Sequence, residues 1–255
     1  MTVHFIGAGP GAADLLTLRA VRLLETSPVC LYAGTYVTED VLSHCPDGVE
    51  LVDTQGLDLD QIIGCLVDAH ERGLDVARLC SGDPSIYSAV AEQGRRLDRA
   101  GVPWDVTPGV PAYAAAAALL TRELTVPEVT QSVVLTRTHQ VSTQIPERES
   151  LAAFAATRAT LVLHLSIRHV RRLAGELVGD YGAGCPVAVV SRAEQPDELV
   201  LRGTLADIAD QVEAEGLRQA AIIIVGWALD AEGFVESHLY SDRCRAGAPT
   251  AAPGQ

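Results

Sequence analysis

The stretch Phe5-Ile6-Gly7-Ala8-Gly9-Pro10-Gly11 constrains this chain more than any other. An apolar run ends in a loop with glycine at positions 7, 9 and 11 and proline at position 10. Glycine reaches φ > 0 and lacks the Cβ that keeps another backbone or a ligand at a distance. Proline fixes φ at ~−65° and offers no N–H. The product is a stiff, narrow turn whose backbone presses against something compact. It differs from the phosphate cradle of a dinucleotide fold, which spaces its glycines Gly-x-Gly-x-x-Gly and opens straight into a helix. Here helical spacing begins only after Thr17, a residue suited to cap a helix, and Leu18, Val21 and Leu24 then fall on one face. The glycines alone are equally compatible with an ordinary tight connection between strand and helix.

Downstream, strand and helix signals alternate. Val3–Ile6, Val29–Tyr32, Leu51–Val52, Val76–Cys80 and Trp104–Thr107 have strand character. Leu59, Ile62, Ile63, Leu66 and Val67 share a helical face that ends near Gly73; Ile86, Ala89, Val90, Gln93 and Leu97 form another, closed by Gly101. Such alternation predicts a parallel sheet with helices on both faces, and ligands of such sheets sit beyond the carboxyl ends of the strands. Two more strand ends break into turn residues: Ser81-Gly82-Asp83-Pro84-Ser85-Ile86-Tyr87 and Pro108-Gly109-Val110-Pro111-Ala112-Tyr113. Three rigid turns at the ends of parallel strands are expected to face one crevice. Asp83 stands out among them. A carboxylate there suits the backbone donors of the following helix, a ligand, or both.

Composition narrows the function classes. At 255 residues the chain buries a full core and lies near the size at which one core becomes two. No apolar run reaches the ~20 residues of a membrane span, and the start lacks the order of a secretion signal, so a cytoplasmic protein is expected. A formal net charge of −14 opposes tracking of a nucleic acid backbone. The six cysteines form no C-x-x-C pair and suit reduced thiols, with Cys30, Cys80 and Cys185 as small buried apolar residues.

These loops, in this order, resemble the tetrapyrrole (uroporphyrinogen and precorrin) methyltransferase superfamily. Ile6 through Ala20 matches its opening signature: apolar, Gly, small, Gly-Pro-Gly, three variable residues, two apolar residues, Thr, and then a further apolar, a basic and a small residue. Gly82-Asp83-Pro84 and Pro108-Gly109-Val110 are the second and third landmarks. Glu123 to Gln131, Pro196-Asp197-Glu198 and Ser237-His238-Leu239-Tyr240 narrow the resemblance to the precorrin-4 C11-methyltransferase branch. The sequence departs from the pattern at Ala12, where the family often has Asp, at Pro111, where Ser or Thr is common, and at Thr138-His139-Gln140, which replaces a basic segment.

The resemblance implies an α/β enzyme of two α/β domains with the active-site cleft between them, usually a homodimer, using S-adenosylmethionine. It implies methylation of C11 of precorrin-4, or of its cobalt-bearing counterpart, with another precorrin ring methyltransferase as the alternative. Carried over by motif, cofactor contacts fall on Pro10, Ser81, Gly82, Asp83, Ile86, Pro111, Ala112, Leu165 and Ala193. Catalytic residues are left open by the sequence; His164 and His169 stand five apart and His139 and His238 are isolated, so no metal site is expected. The partner the resemblance implies is a tetrapyrrole, and charge and the lack of a long apolar run argue against nucleic acid and membrane. A non-catalytic tetrapyrrole carrier is the rival of another class.

The expected domains are 1–112 and 113–244, followed by a mobile tail at 245–255 rich in Ala, Gly and Pro. In the second half, Val133–Thr136, Leu161–Leu165, Val187–Val190 and Ile222–Val225 are strand candidates, with helical patterns at 149–156, 167–178 and 205–215. Arg137, Arg168, Arg171, Arg172 and Arg192 are candidate carboxylate-binding groups for an acid-fringed substrate, against the simpler role of exposed ion pairing.

Overall fold

A computed structural model of the chain describes residues 1–138 and 145–235. The expected tail, the Ser237–Tyr240 motif and His139-Gln140 lie outside the described residues. Two compact units are present. The first is Met1–Thr121 with Val189–Leu201 and Gly216–Ile222; the second is Arg122–Ala188, Arg202–Glu215 and the chain from Ile223 onward.

The elements of the first 121 residues are β1 (Val3–Gly7), α1 (Leu18–Thr26), β2 (Val29–Tyr32), α2 (Glu39–Leu42), β3 (Glu50–Asp53), α3 (Leu59–Glu71), β4 (Val76–Cys80), α4 (Val90–Ala100), β5 (Trp104–Thr107) and α5 (Ala112–Leu120). The five strands form one parallel sheet in the order β3-β2-β4-β1-β5, as the alternation predicts. Strand side chains alternate between two cores. Ile6, Cys30, Ala77 and Leu79 pack with Leu16, Ala20 and Leu24 beside α1 and with Val41 of α2. Val3, Phe5, Leu31 and Val76 pack with Leu66 and Ala69 of α3 and Leu97 of α4. Cys30, Cys80 and Cys185 are buried, as expected of small apolar residues.

Helix ends follow local chemistry. Thr17 accepts a hydrogen bond from the Ala20 N–H at 3.1 Å and starts α1, as its sequence position predicts. Asp58 and Gln61 form a reciprocal capping box at α3. Two expectations need correction. Of the expected face of α1, Leu24 is buried with Ala20 and Val21 packs partly buried against the same core, whereas Leu18 is 80% exposed. Leu18 occupies the first helical position and stays outside the core that Ala20, Val21 and Leu24 join. Helix α4 begins at Val90, not near Ile86, because Tyr87 and Ala89 adopt left-handed backbone angles within a tight loop.

The later elements are β6 (Val133–Arg137), α6 (Leu151–Ala155), β7 (Thr160–His164), α7 (Val170–Tyr181), β8 (Pro186–Ser191), β9 (Leu199–Thr204), α8 (Ile208–Ala214) and β10 (Ala221–Val225). Their sheet runs β6-β7-β10-β8-β9. It is mixed: β7 pairs parallel with β6 and antiparallel with β10. Leu173 and Leu177 of α7 and Val162 and Leu163 of β7 are buried. The sequence reading missed β9, a half-exposed strand at the sheet edge that contains Gly203. Strand β7 ends one residue earlier than expected, and Leu165 beyond it has φ +53° and is 55% exposed.

Candidate active site

The site grows from the centre of the first sheet. The connection leaving β1 crosses β4 to reach β2, while the one leaving β4 crosses β1 to reach β5. Neighbouring strands therefore send their chains to opposite faces, which opens a crevice at their carboxyl ends. The turns after β1, β4 and β5 leave from three adjacent strands.

Backbone hydrogen bonds tie the first two turns together. The Ala8 N–H donates to the Cys80 carbonyl at 2.8 Å. Gly9 and Gly82 exchange a pair of bonds at 3.2 and 2.8 Å, a short antiparallel bridge. The third turn closes against both. A Cβ on Gly109 would lie 2.3 Å from the Gly82 carbonyl oxygen and 2.8 Å from Gly7 Cα; one on Gly7 would lie 2.4 Å from Gly109 N. Only residues without a Cβ let three backbones approach so closely. A Cβ on Gly82 would in turn stand 3.3 Å from Ala112 N and 3.5 Å from Pro111 Cα, so the start of α5 belongs to the same cluster.

Asp83 stitches the second turn to the third. Its Oδ2 accepts from the Gly109 N–H at 2.8 Å. Its Oδ1 accepts from the Ser85 N–H at 2.8 Å and from the Ser85 hydroxyl. Burial pushes the carboxyl pKa up, but the bonds from the Ser85 hydroxyl and from the Gly109 and Ser85 N–H groups outweigh it and hold the pKa below the ordinary carboxylate value. The Ser88 hydroxyl donates to the Asp83 carbonyl at 3.2 Å and the Ile86 carbonyl at 3.1 Å, which winds residues 83–89 into the loop that delays α4. Behind it, the buried Arg78 guanidinium donates from Nε to Gln93 Oε1 at 3.2 Å, and Gln93 Nε2 donates to the Ala89 carbonyl at 3.3 Å. Desolvation lowers the Arg78 pKa.

A fourth segment of the first unit covers the first turn. Arg192 and Glu194 adopt left-handed angles, Ala193 is buried, and a Cβ on Gly11 would meet the Ala193 carbonyl at 3.2 Å. Pro10, Gly82, Asp83, Pro111 and Ala112 thus come together in or beside the converging turns, with Ser81 and Ile86 in the same loop as Asp83. Ala193 lies on the covering segment. Leu165 belongs to the second unit. Sequence reasoning missed Thr38 and Gln195, whose side chains reach the first turn from 27 and 185 residues away.

The arginines divide. Arg171 holds Asp210 at 2.5 Å and Glu213 at 2.7 Å, Arg172 faces Glu176 at 3.7 Å, and Arg192 holds Asp197 at 2.5 Å. These three are ion-paired on the protein's own carboxylates. Arg168 and Arg172 do not share a regular helix face, because Arg168 sits in a 3-10 turn ahead of α7.

The family model for tetrapyrrole (corrin/porphyrin) methylases matches residues 2–209. The chain belongs to the tetrapyrrole methylase family. It is 58% identical over 241 residues to the precorrin-4 C(11)-methyltransferase of Rhodococcus erythropolis, covering 94% of this chain and 97% of that one. Its fold matches the X-ray structure of a cobalamin biosynthetic enzyme, cobalt precorrin-4 methyltransferase, with a TM-score of 0.86 and 37% identity over 90% of this chain and 96% of the other. A second tetrapyrrole methylase, the uroporphyrin-III C-methyltransferase of Thermus thermophilus complexed with S-adenosyl homocysteine, matches with a TM-score of 0.76 and 29% identity, covering 90% and 99%. The two-domain α/β architecture expected from the sequence is that of the family.

Proposed function

We propose that this chain is an S-adenosylmethionine-dependent methyltransferase that methylates C11 of precorrin-4 to give precorrin-5 in cobalamin biosynthesis. The high identity to the Rhodococcus enzyme along nearly the whole chain carries the ring position. At 37% identity, the cobalt precorrin-4 methyltransferase is the more distant of the two, which favours the metal-free substrate over its cobalt-bearing counterpart. The donor is supported by a related enzyme that is complexed with S-adenosyl homocysteine, and the close-packed glycine turns at the carboxyl ends of adjacent strands are where we place it.

We assign donor contacts to Pro10, Ser81, Gly82, Asp83, Ile86, Pro111 and Ala112, with Ala193 and Leu165. When bound, the donor supplies a methyl group already activated on a positively charged sulfur. The protein's task is alignment, and holding two reactants ~3–3.5 Å apart in line lowers a barrier by several kcal/mol. Positive charge is lost from sulfur during transfer, so a tight anionic clamp there opposes the reaction. Asp83 satisfies that requirement: its oxygens accept from Gly109 and Ser85, and it orients the donor or the loop without clamping the sulfur. The proposal further includes domains at 1–112 and 113–244, a homodimer and a cytoplasmic setting.

Turnover with metal-free and cobalt-bearing precorrin-4, followed by NMR assignment of the new methyl, tests the proposal. Faster methylation of the metal-free substrate at C11 is expected. Transfer to another ring carbon, or macrocycle binding without transfer, overturns it.

A further inference from the structure

We infer that Gln195 is a positioning residue for the first glycine turn and, through that turn, for methyl-donor binding; the inference rests on the donor assignment above. Residue 10 has an unusual anchoring problem. Proline has no N–H, so its carbonyl is the one backbone polar group by which it can be fixed. Gln195 supplies the anchor: its Nε2 donates to the Pro10 carbonyl at 3.2 Å. The next carbonyl is held from elsewhere, with Thr38 Oγ1 donating to Gly11 O at 3.0 Å. Two side chains remote in sequence therefore occupy adjacent carbonyls of the turn.

The seat of Gln195 is built into the turn. A Cβ on Gly11 would lie 2.4 Å from Gln195 Cγ and 2.9 Å from the Glu194 carbonyl oxygen, so this glycine makes room for the segment. The segment is itself fixed. Arg192 N–H donates to the Ala220 carbonyl at 2.8 Å, Arg192 Nε to Asp197 Oδ1 at 2.5 Å, and the Glu194 N–H to Glu198 Oε2 at 2.7 Å. Arg192 and Glu194, neither of them glycine, hold φ of +50° and +60°. Such angles persist only where the surroundings over-determine them, and they concentrate at working sites. Gln195 is thus presented to Pro10 from a rigid support.

The chemistry requires a donor at the end of the side chain. Gln195→Glu keeps length and shape but turns an anionic acceptor toward a carbonyl. Calorimetric titration with S-adenosylhomocysteine, together with donor KM and kcat for C11 methylation, separates the outcomes. Binding by the wild-type protein, ~10-fold weaker binding by Gln195→Glu and ~3-fold weaker binding by Gln195→Ala are expected, from the worth of one hydrogen bond and the added repulsion. The loss should fall on donor KM, with kcat changed less than about twofold and the melting temperature of the unliganded protein lowered by no more than about 2–4 °C, the worth of the one hydrogen bond. Thr38→Ser should bind like wild type, and Thr38→Val should lose about as much as Gln195→Ala. Wild-type binding with an equal Kd in Gln195→Glu overturns the inference and leaves the donor assignment standing. A lowered melting temperature with unchanged Kd also overturns it, by showing a role in stability alone. Failure of the wild-type protein to bind overturns the donor assignment and this inference with it.

Discussion

Replacing Gly109 by alanine tests whether the three turns are in contact. Gly109 does not lie in the left-handed region, so alanine can adopt its backbone angles without strain. The whole penalty comes from approach. The new Cβ would start 2.3 Å from the Gly82 carbonyl oxygen, and its neighbours are backbone atoms that cannot rotate away. Ordinary contact requires the third turn to retreat by about 1 Å. That retreat stretches the 2.8 Å bond between Gly109 N–H and Asp83 beyond hydrogen-bonding range. Overpacking costs about 1–3 kcal/mol, and the bond to a partly exposed carboxylate about 1 kcal/mol more. Gly109→Ala should therefore lose about 2–4 kcal/mol in urea denaturation and bind S-adenosylhomocysteine at least ~30-fold more weakly. Gly175→Ala is the control: Gly175 is an exposed residue of α7 with nothing within 4 Å of the new Cβ, and the variant should gain about 0.5–1 kcal/mol with binding unchanged. A Gly109→Ala protein with wild-type stability and affinity would refute the convergence of the turns.

Two further outcomes follow from particular residues. Asp83→Asn should destabilise the protein by about 1–2 kcal/mol at pH 7, since an amide cannot accept from Gly109 and Ser85 together. Because the folded-state pKa lies below the ordinary ~3.9, the carboxylate's contribution is complete above about pH 4 and vanishes as pH falls through the lowered value. The stability gap between the two proteins should narrow as the carboxylate protonates in acid; a gap that widens in acid contradicts this. On α1, Leu24→Ala should cost about 2–5 kcal/mol while Leu18→Ala costs under about 0.5 kcal/mol. Equal losses would restore the helix face expected from spacing.

Much of the site was legible because its residues announce local geometry. Three glycine-proline turns, Thr17 as a cap and five short strands are each specified within a few residues. Parallel order and the crossing of β1 and β4 then bring the turns together without further information. What escaped depends on distance or on competition. Thr38 and Gln195 are ordinary loop residues until the fold carries them to the first turn. The delayed start of α4 reflects side-chain bonds from Ser88 and Asp83 that outcompete an apolar helical pattern. Strand β9 sits at an edge, where weak alternation and a glycine hide its character.

Amide hydrogen exchange with and without S-adenosylhomocysteine tests the central claim most directly. Ligand-induced protection is expected together at residues 7–12, 81–86 and 109–113, the three turns that meet through Gly7, Gly82 and Gly109. Protection confined to one of these segments, or falling wholly outside them, would contradict a donor site built from their convergence.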